Sequence, residues 1–200
     1  MKSSFFVKKI FDFTLASLSL PIVLPIIGIC WLVATWDTKS NGFFFQRRVG
    51  QYGNIFYVIK IKTMRNLKPG EKRSAITSEV LSCITPCGSF FRKYKLDELP
   101  QIINILTGKM SFVGPRPDVE GYADALHGDD KLILQLKPGI TGPASLKYKD
   151  EEMLLASKSN PKKFYDEVIW PDKVSINKNY YMNYSFFKDI YYIFKTVFSI

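Results

Sequence analysis

Two adjacent carboxylates, Asp97 and Glu98, stand among cations in the stretch RKYKLDELPQIINILTGKMSFVGPRP, residues 92–117. Arg92, Lys93 and Lys95 precede them, and Arg116 follows in a stiff Gly-Pro-Arg-Pro loop. Between the pair and the loop, Leu99, Ile102, Ile103 and Leu106 recur at helical spacing, which predicts a short apolar helix. Pro100 suits its first turn, where a missing N–H costs nothing. The carboxylates then fall just ahead of or on that turn, where exposed amides attract negative charge. An isolated Asp-Glu pair is most often a solvated helix start. Carboxylates, fixed cations and a helix N-terminus in one stretch instead suit a metal-bound phosphate ester.

The chain around this stretch has 200 residues, which suits one domain with a usable core. Its formal net charge of +10 favours an anionic partner: phosphorylated substrate, acidic lipid or nucleic acid. Charge alone does not choose among them. Cys30, Cys83 and Cys87 do not make a disulfide framework, and two of them with the lone His127 are wrongly spaced for zinc. They read as reduced cytosolic thiols. Neither a Walker sequence nor GxGxxG is present, so a nucleotide P-loop or Rossmann unit is unsupported.

Of the elements that must position the charged stretch, the first is apolar. Residues 13–36, FTLASLSLPIVLPIIGICWLVATW, carry no charge between Asp12 and Asp37. As a helix they would measure roughly 36 Å, against a hydrocarbon core of about 30 Å. The run is too long for a signal peptide, and no small-x-small cleavage site follows it. Pro21 and Pro25 lie inside it, and each removes a helix hydrogen bond and favours a kink. Both flanks are basic, with Lys2, Lys8 and Lys9 before and Lys39, Arg47 and Arg48 after. The positive-inside rule keeps both flanks cytoplasmic. A bent, re-entrant helix satisfies both observations; a straight tilted anchor is the alternative.

Residues 43–48 and 55–62 read as two strands, with Gly50, Gly53 and Asn54 supplying the turn. Alternation puts Lys60 and Lys62 on one face of the second strand. Residues 65–82 are polar and contain Pro69-Gly70, which suggests a mobile loop. Beyond Pro117, residues 119–126 read as a short helix, and 132–136 as a strand or a helix. KPGITG, 137–142, is turn-rich; its glycines permit close backbone approach to a ligand, although a turn alone fits equally well. Asp150 is placed to cap a helix through about Ser157, Asn160-Pro161 to open another, and Trp170-Pro171 to mark a break before a third. In the tail, Phe187, Ile190, Tyr191, Phe194, Val197 and Phe198 share one helical stripe, which suits core packing or a membrane interface equally.

LDELPQIINILTGKMSFVGPRP closely resembles the signature of the bacterial sugar transferase family, the monotopic phosphoglycosyl transferases. QRRVG at 46–50, IKIKTM at 59–64, KPGITG at 137–142 and ASLKYKDEE at 144–152 match as well, so the resemblance covers nearly the whole chain. It implies an α+β, mainly helical fold, with a re-entrant N-terminal membrane helix (1–39) and a small β-hairpin. The cytoplasmic catalytic domain (40–200) would carry amphipathic interfacial helices. Many members have Ser-Pro at the helix break where this chain has Leu24-Pro25. That departure removes a hydroxyl that could bond a freed carbonyl. By resemblance, Asp97 is the nucleophile and Glu98 the Mg2+ ligand, while Lys60, Arg92 and Arg116 engage substrate phosphate. The implied substrates are a UDP-sugar and polyprenyl (undecaprenyl) phosphate, joined at the cytoplasmic face of the bacterial inner membrane, with UMP released. Nucleic acid is not an expected partner, and an oligomer is compatible with the sequence.

Two other classes compete. An enzyme of the same topology could transfer the sugar directly and release UDP. A non-catalytic basic membrane adaptor would explain the charge and the aromatic tail, but gives no reason for Asp97-Glu98 inside a complete motif.

Overall fold

A computed structural model describes residues 2–66 and 83–198, with side chains from residue 5 onward. The described residues are mainly helical, with two small sheets and one long apolar N-terminal helix. That helix, α1 (Lys2–Thr38), continues through both Pro21 and Pro25. Among the described residues it is the one helix long and apolar enough to cross a membrane. Phe6, Phe13, Leu18, Ile22, Ile29, Leu32 and Trp36 are exposed along it, as expected of a helix whose partner is not protein. The loop expected at 65–82 lies, from residue 67 on, outside the described residues.

The chain divides into two compact units. One comprises Leu15–Gln46 and Tyr57–Asn104. Its core is built from Ile27, Cys30 and Ala34 of α1, Val58 and Ile61 of β2 (Ile55–Ile61), and Phe91 and Ile102. Strand β1 (Phe43–Val49) pairs with β2, close to the expected bounds. After β2 the backbone is tied to the chain returning at residue 83: Arg65 N donates to Cys83 O at 2.9 Å, and Thr85 N to Thr63 O at 3.1 Å. Helix α2 (Pro86–Lys93) starts there, with the Thr85 hydroxyl accepting from Gly88 N at 3.0 Å. Gly88 lies so close to the strand exit that a Cβ would meet Thr63 O at 2.1 Å. A 3-10 turn, Leu96–Glu98, leads into α3 (Gln101–Leu106).

The expected apolar stripe of α3 is only partly its buried face. Ile102 and Ile105 are buried, as are Gln101 and Asn104, whereas Leu99, Ile103 and Leu106 are half-buried. Asn104 explains the shift. Its Oδ1 accepts from Ile59 N at 3.1 Å and its Nδ2 donates to Tyr57 O at 2.8 Å, so the amide docks α3 on the backbone of β2.

The other unit comprises Met1–Thr14, Arg47–Phe56 and Ile105–Ile200. Here β3 (Ser111–Val113) pairs in parallel with β4 (Gly139–Thr141), Ser111 opposite Gly139 and Val113 opposite Thr141. The KPGITG segment is thus partly a strand, and its glycines admit protein backbone: a Cβ on Gly139 would meet Gly114 N at 2.1 Å, and one on Gly142 would meet Gly114 O at 2.3 Å. Of the helix expected at 119–126 only a 3-10 turn, Ala123–Ala125, forms, and 132–136 falls in a 3-10 segment, Gly128–Gln135. Next come α4 (Pro143–Lys147), α5 (Glu151–Ala156) and α6 (Pro161–Phe164), the last capped by Asn160, whose Oδ1 accepts from Lys163 N at 3.1 Å. Asp150 stands at the N-cap of α5 without a side-chain cap bond.

No break occurs at Trp170-Pro171. The chain passes from α6 through a π-turn, Tyr165–Ile169, into α7 (Trp170–Met182), and Pro171 sits in its first turn, where it needs no donor. Helix α8 (Phe186–Val197) follows. Its expected stripe is not core: Phe187, Tyr191, Phe194, Val197 and Phe198 are all exposed. The helix docks instead through Asp189, whose carboxylate is 1% exposed. Lys8 of α1 meets Asp189 Oδ2 at 2.7 Å, Tyr184 OH donates to the same oxygen at 3.1 Å, and Tyr180 OH donates to Oδ1. Lys8, counted above among the basic flanks, is therefore a buried ion-pair partner.

Candidate active site

Asp97 and Glu98 occupy the 3-10 turn between α2 and α3. Lys95 opens it in a left-handed conformation, φ 56°, and Glu98 N donates back to Lys95 O at 3.2 Å. The carboxylates are therefore not on the first turn of α3 but on a separate, tighter turn ahead of it. Both residues are only 9% exposed. A buried ionised carboxylate requires a counter-charge or hydrogen bonds, and the two neighbours meet that need differently.

Glu98 has a fixed cation. Lys60 Nζ lies 3.0 Å from Glu98 Oε1, the side chains being 20% and 11% exposed. Lys60 is placed by β2, which Asn104 in turn holds against α3. Asp97 Oδ1, by contrast, is buried with no hydrogen-bond partner among the described residues. Burial pushes the Asp97 carboxyl above its ordinary range, and the charge of Glu98 adds to the rise. Lys60, Arg92 and Lys95 pull it back without cancelling the effect. An electron-rich oxygen left unpartnered beside a second carboxylate is where added positive charge would be most stabilising.

A divalent cation fits this donor set. Mg2+ commonly takes one or two protein carboxylates and completes its shell with water and substrate phosphate. No cluster of three His, Cys, Asp or Glu stands among the described residues, so those further oxygens would come from water and the ligand.

Arg92 sits in the last turn of α2, and its Nε donates to Thr63 Oγ1 at 3.0 Å. Lys60, Arg92, Asp97 and Glu98 lie in one unit. Arg116 belongs to the other unit, exposed in the Gly114–Asp118 loop. Backbone bonds pin that loop: Gly114 N donates to Thr141 O at 2.9 Å, Gly139 N to Pro115 O at 2.8 Å, and Val49 N to Asp118 O at 2.9 Å. With Val49, Gly50, Ile133 and Leu136, Arg116 and Asp118 also line a shallow recess. Thr63 and Asn104, which steady Arg92 and β2, were not legible as site residues. A lone amide between Ile103 and Ile105 was the available signal for Asn104. All three cysteines are free thiols.

The model of the family described as "Bacterial sugar transferase" matches residues 3–200. The exopolysaccharide production protein ExoY of Rhizobium meliloti (strain 1021) is 27% identical over 209 residues, covering 95% of this chain and 83% of that protein. The undecaprenyl-phosphate galactose phosphotransferase of Salmonella typhimurium is 28% identical over 98% of this chain, which corresponds to 40% of its length. The UDP-glucose:undecaprenyl-phosphate glucose-1-phosphate transferase of Escherichia coli (strain K12) is 36% identical over 145 residues, 70% of this chain and 30% of that one. With the match spanning almost every residue, Asp97-Glu98 and its cations included, the chain belongs to the bacterial sugar transferase family.

Proposed function

We propose that the protein transfers a sugar-1-phosphate from a UDP-sugar to polyprenyl phosphate, forming a polyprenyl diphosphosugar and UMP. This would be the initiating membrane step of a surface polysaccharide or glycoconjugate. The observation that carries the reading is the contrast at residues 97 and 98: one buried carboxylate oxygen with no hydrogen-bond partner among the described residues, beside a second carboxylate held by Lys60.

The roles follow from charge. A nucleotide diphosphate resists attack because its oxygens are negative, so a site needs fixed cations and an aligned nucleophile. Asp97 attacks the sugar-linked phosphorus; an O–P bond forms, the bond to the UMP oxygen breaks, and UMP leaves with that electron pair. The phosphosugar stays on Asp97 until a polyprenyl phosphate oxygen attacks the same phosphorus and releases the carboxylate. Dividing the reaction in this way is covalent catalysis. Lys60, Arg92 and Arg116 offset charge on the phosphate oxygens. Glu98 is the residue that would hold Mg2+, which, when bound, supplies charge neutralisation at the diphosphate.

The membrane assignment has its own support. Residues 1–39 form the anchor, entering and leaving on the cytoplasmic face of the inner membrane, and 40–200 the catalytic domain on that face. The exposed apolar side chains of α1 and the exposed Phe187, Tyr191, Phe194 and Phe198 of α8 favour lipid on both elements.

The test is product identity. The purified protein is incubated with undecaprenyl phosphate, Mg2+ and each of a panel of UDP-sugars. UMP released with at least one sugar supports the reading. UDP in its place would mean direct sugar transfer, and no turnover across the panel would favour the adaptor.

A further inference from the structure

Both ends of α2 are seated on one residue, Thr63, which lies two positions beyond β2 and is 7% exposed. At the start of the helix, the Thr63 carbonyl receives Thr85 N at 3.1 Å and the Thr85 hydroxyl at 3.4 Å. In the last turn, Arg92 Nε donates to the Thr63 hydroxyl at 3.0 Å. Gly88 and Arg92 are four residues apart and so share a face of α2. A Cβ on Gly88 would lie 2.1 Å from Thr63 O. Without it, that face comes close enough for the arginine one turn on to reach the hydroxyl.

The kind of partner matters as much as the reach. A guanidinium can grip a phosphate along either of two edges: Nε with one Nη, or the two Nη together. Thr63 takes Nε, which leaves the outer Nη1–Nη2 edge for a bidentate ligand. A carboxylate at residue 63 would hold the group as firmly but would also neutralise it. A hydroxyl fixes the orientation and leaves the charge to act on an anion. Threonine is branched at Cβ, which restricts that hydroxyl to few rotamers. The charge reaches the Asp97-Glu98 turn: burial and then Glu98 raise the Asp97 carboxyl, while Lys60 and then Arg92 pull it back. Lys60 comes from the same strand exit, three residues before Thr63.

We propose that Thr63 is a positioning residue: its hydroxyl holds Nε of Arg92 and so turns the outer edge of the guanidinium to the diphosphate of the UDP-sugar. The proposal rests on the reading that Arg92 engages substrate phosphate. It makes the exit of β2 the common base of two cations that act on the Asp97-Glu98 turn, Lys60 directly and Arg92 through Thr63. Neither then has to be ordered when the substrate arrives, which is the advantage of preorganised over flexible charge.

Thr63→Val, Thr63→Ser, Arg92→Lys and the Thr63→Val/Arg92→Lys double variant are assayed as full-length protein with the most active UDP-sugar of the panel. Valine keeps the shape of threonine without the hydroxyl; serine keeps the hydroxyl without the methyl. We expect Thr63→Val to lower kcat/KM about tenfold, with a melting temperature close to that of the wild type. Thr63→Ser should recover most of that activity even where it melts lower, so that turnover follows the hydroxyl and not the packing. Arg92→Lys keeps the charge, loses the planar fork and should fall about as far. The double variant should be no slower than the slower single one, because both changes disable one device. Several outcomes would overturn the proposal: unchanged kcat/KM in Thr63→Val beside an impaired Arg92→Lys, a loss that serine does not restore, multiplying losses in the double variant, or a marked fall in the melting temperature of Thr63→Val. Wild-type kinetics in Arg92→Lys would instead overturn the bidentate role of Arg92, and with it this route of action. If no UDP-sugar turns over, the functional reading fails by itself, and inorganic pyrophosphate with Mg2+ becomes the probe. The rise it causes in the wild-type melting temperature should shrink in both Thr63→Val and Arg92→Lys. No rise in the wild type, or an equal rise in every variant, would overturn the proposal.

Discussion

Neighbouring residues with the same chemistry can be given different work by their surroundings, and Asp97 and Glu98 differ in theirs. Glu98 has Lys60 at 3.0 Å, while Asp97 has an oxygen with no hydrogen-bond partner among the described residues. Incubating the protein with a competent UDP-sugar and no polyprenyl phosphate should leave a phosphosugar on the peptide containing Asp97, visible by intact-mass and peptide analysis. Asp97→Asn should abolish that adduct. Glu98→Gln should instead raise the Mg2+ concentration needed for half-maximal turnover, so that added Mg2+ recovers part of the activity. An adduct on Glu98 would reverse the two roles. The charged cluster around the pair could be read because charge order is local, whereas alternation only put Lys60 on a face with Lys62 and the family resemblance singled it out. The unpartnered oxygen was not legible, because it depends on what packs over the turn, and the left-handed Lys95 that tightens that turn has no glycine to announce it.

At the scale of elements, the site depends on how α3 holds β2, since that strand carries Lys60. The two bonds of the Asn104 amide to the backbone at Tyr57 and Ile59 are the link. Asn104→Leu keeps the volume but leaves a strand N–H and C=O without partners. The loss should be about 1–3 kcal/mol, measured by denaturant unfolding of the solubilised protein, and turnover should fall with it through Lys60. A variant as stable and active as the wild type would show that Asn104 is incidental. Elements with strong local signals were readable: the strand pair, the helix opened by Asn160-Pro161 and the apolar α1. Those governed by distant partners were not. Three-residue β4 exists through β3 and the glycine contacts at Gly114, not through alternation. The Trp170-Pro171 break failed because a proline in a first turn is as compatible with continuation as with a stop. The α8 stripe was read correctly as apolar, but periodicity does not say which solvent it faces.

For the whole molecule the decisive quantity is where the two ends of α1 lie. At 37 residues α1 would measure about 55 Å if straight, far more than the roughly 30 Å a perpendicular span needs. Its first turns are held within the unit that contains Arg47–Phe56. Lys8 is bound to Asp189, Asp12 Oδ1 accepts from Phe112 N at 3.2 Å, and Phe5 stacks on Tyr184 with ring centroids 4.5 Å apart. All of these partners belong to the unit that also contains Arg47–Phe56. From Lys39 the chain enters that unit at Arg47 through eight residues that hold no apolar run able to cross a membrane. Both ends of the apolar segment should therefore lie on one side of the membrane, an expectation that does not depend on counting Lys8 as a flanking charge. Single cysteines introduced by Ser3→Cys and Lys39→Cys, in a background with Cys30, Cys83 and Cys87 replaced by alanine, provide the check. A membrane-impermeant maleimide should leave both unlabelled in spheroplasts and label both in inside-out vesicles. Labelling of either cysteine in spheroplasts would sink the re-entrant arrangement. If it holds, replacing Pro21 and Pro25 together with leucine restores the backbone donors they lack and should favour a continuous span. The Lys8–Asp189 tether opposes that rearrangement, so Asp189→Asn added to the double proline variant should increase the fraction of Ser3→Cys protein labelled from outside.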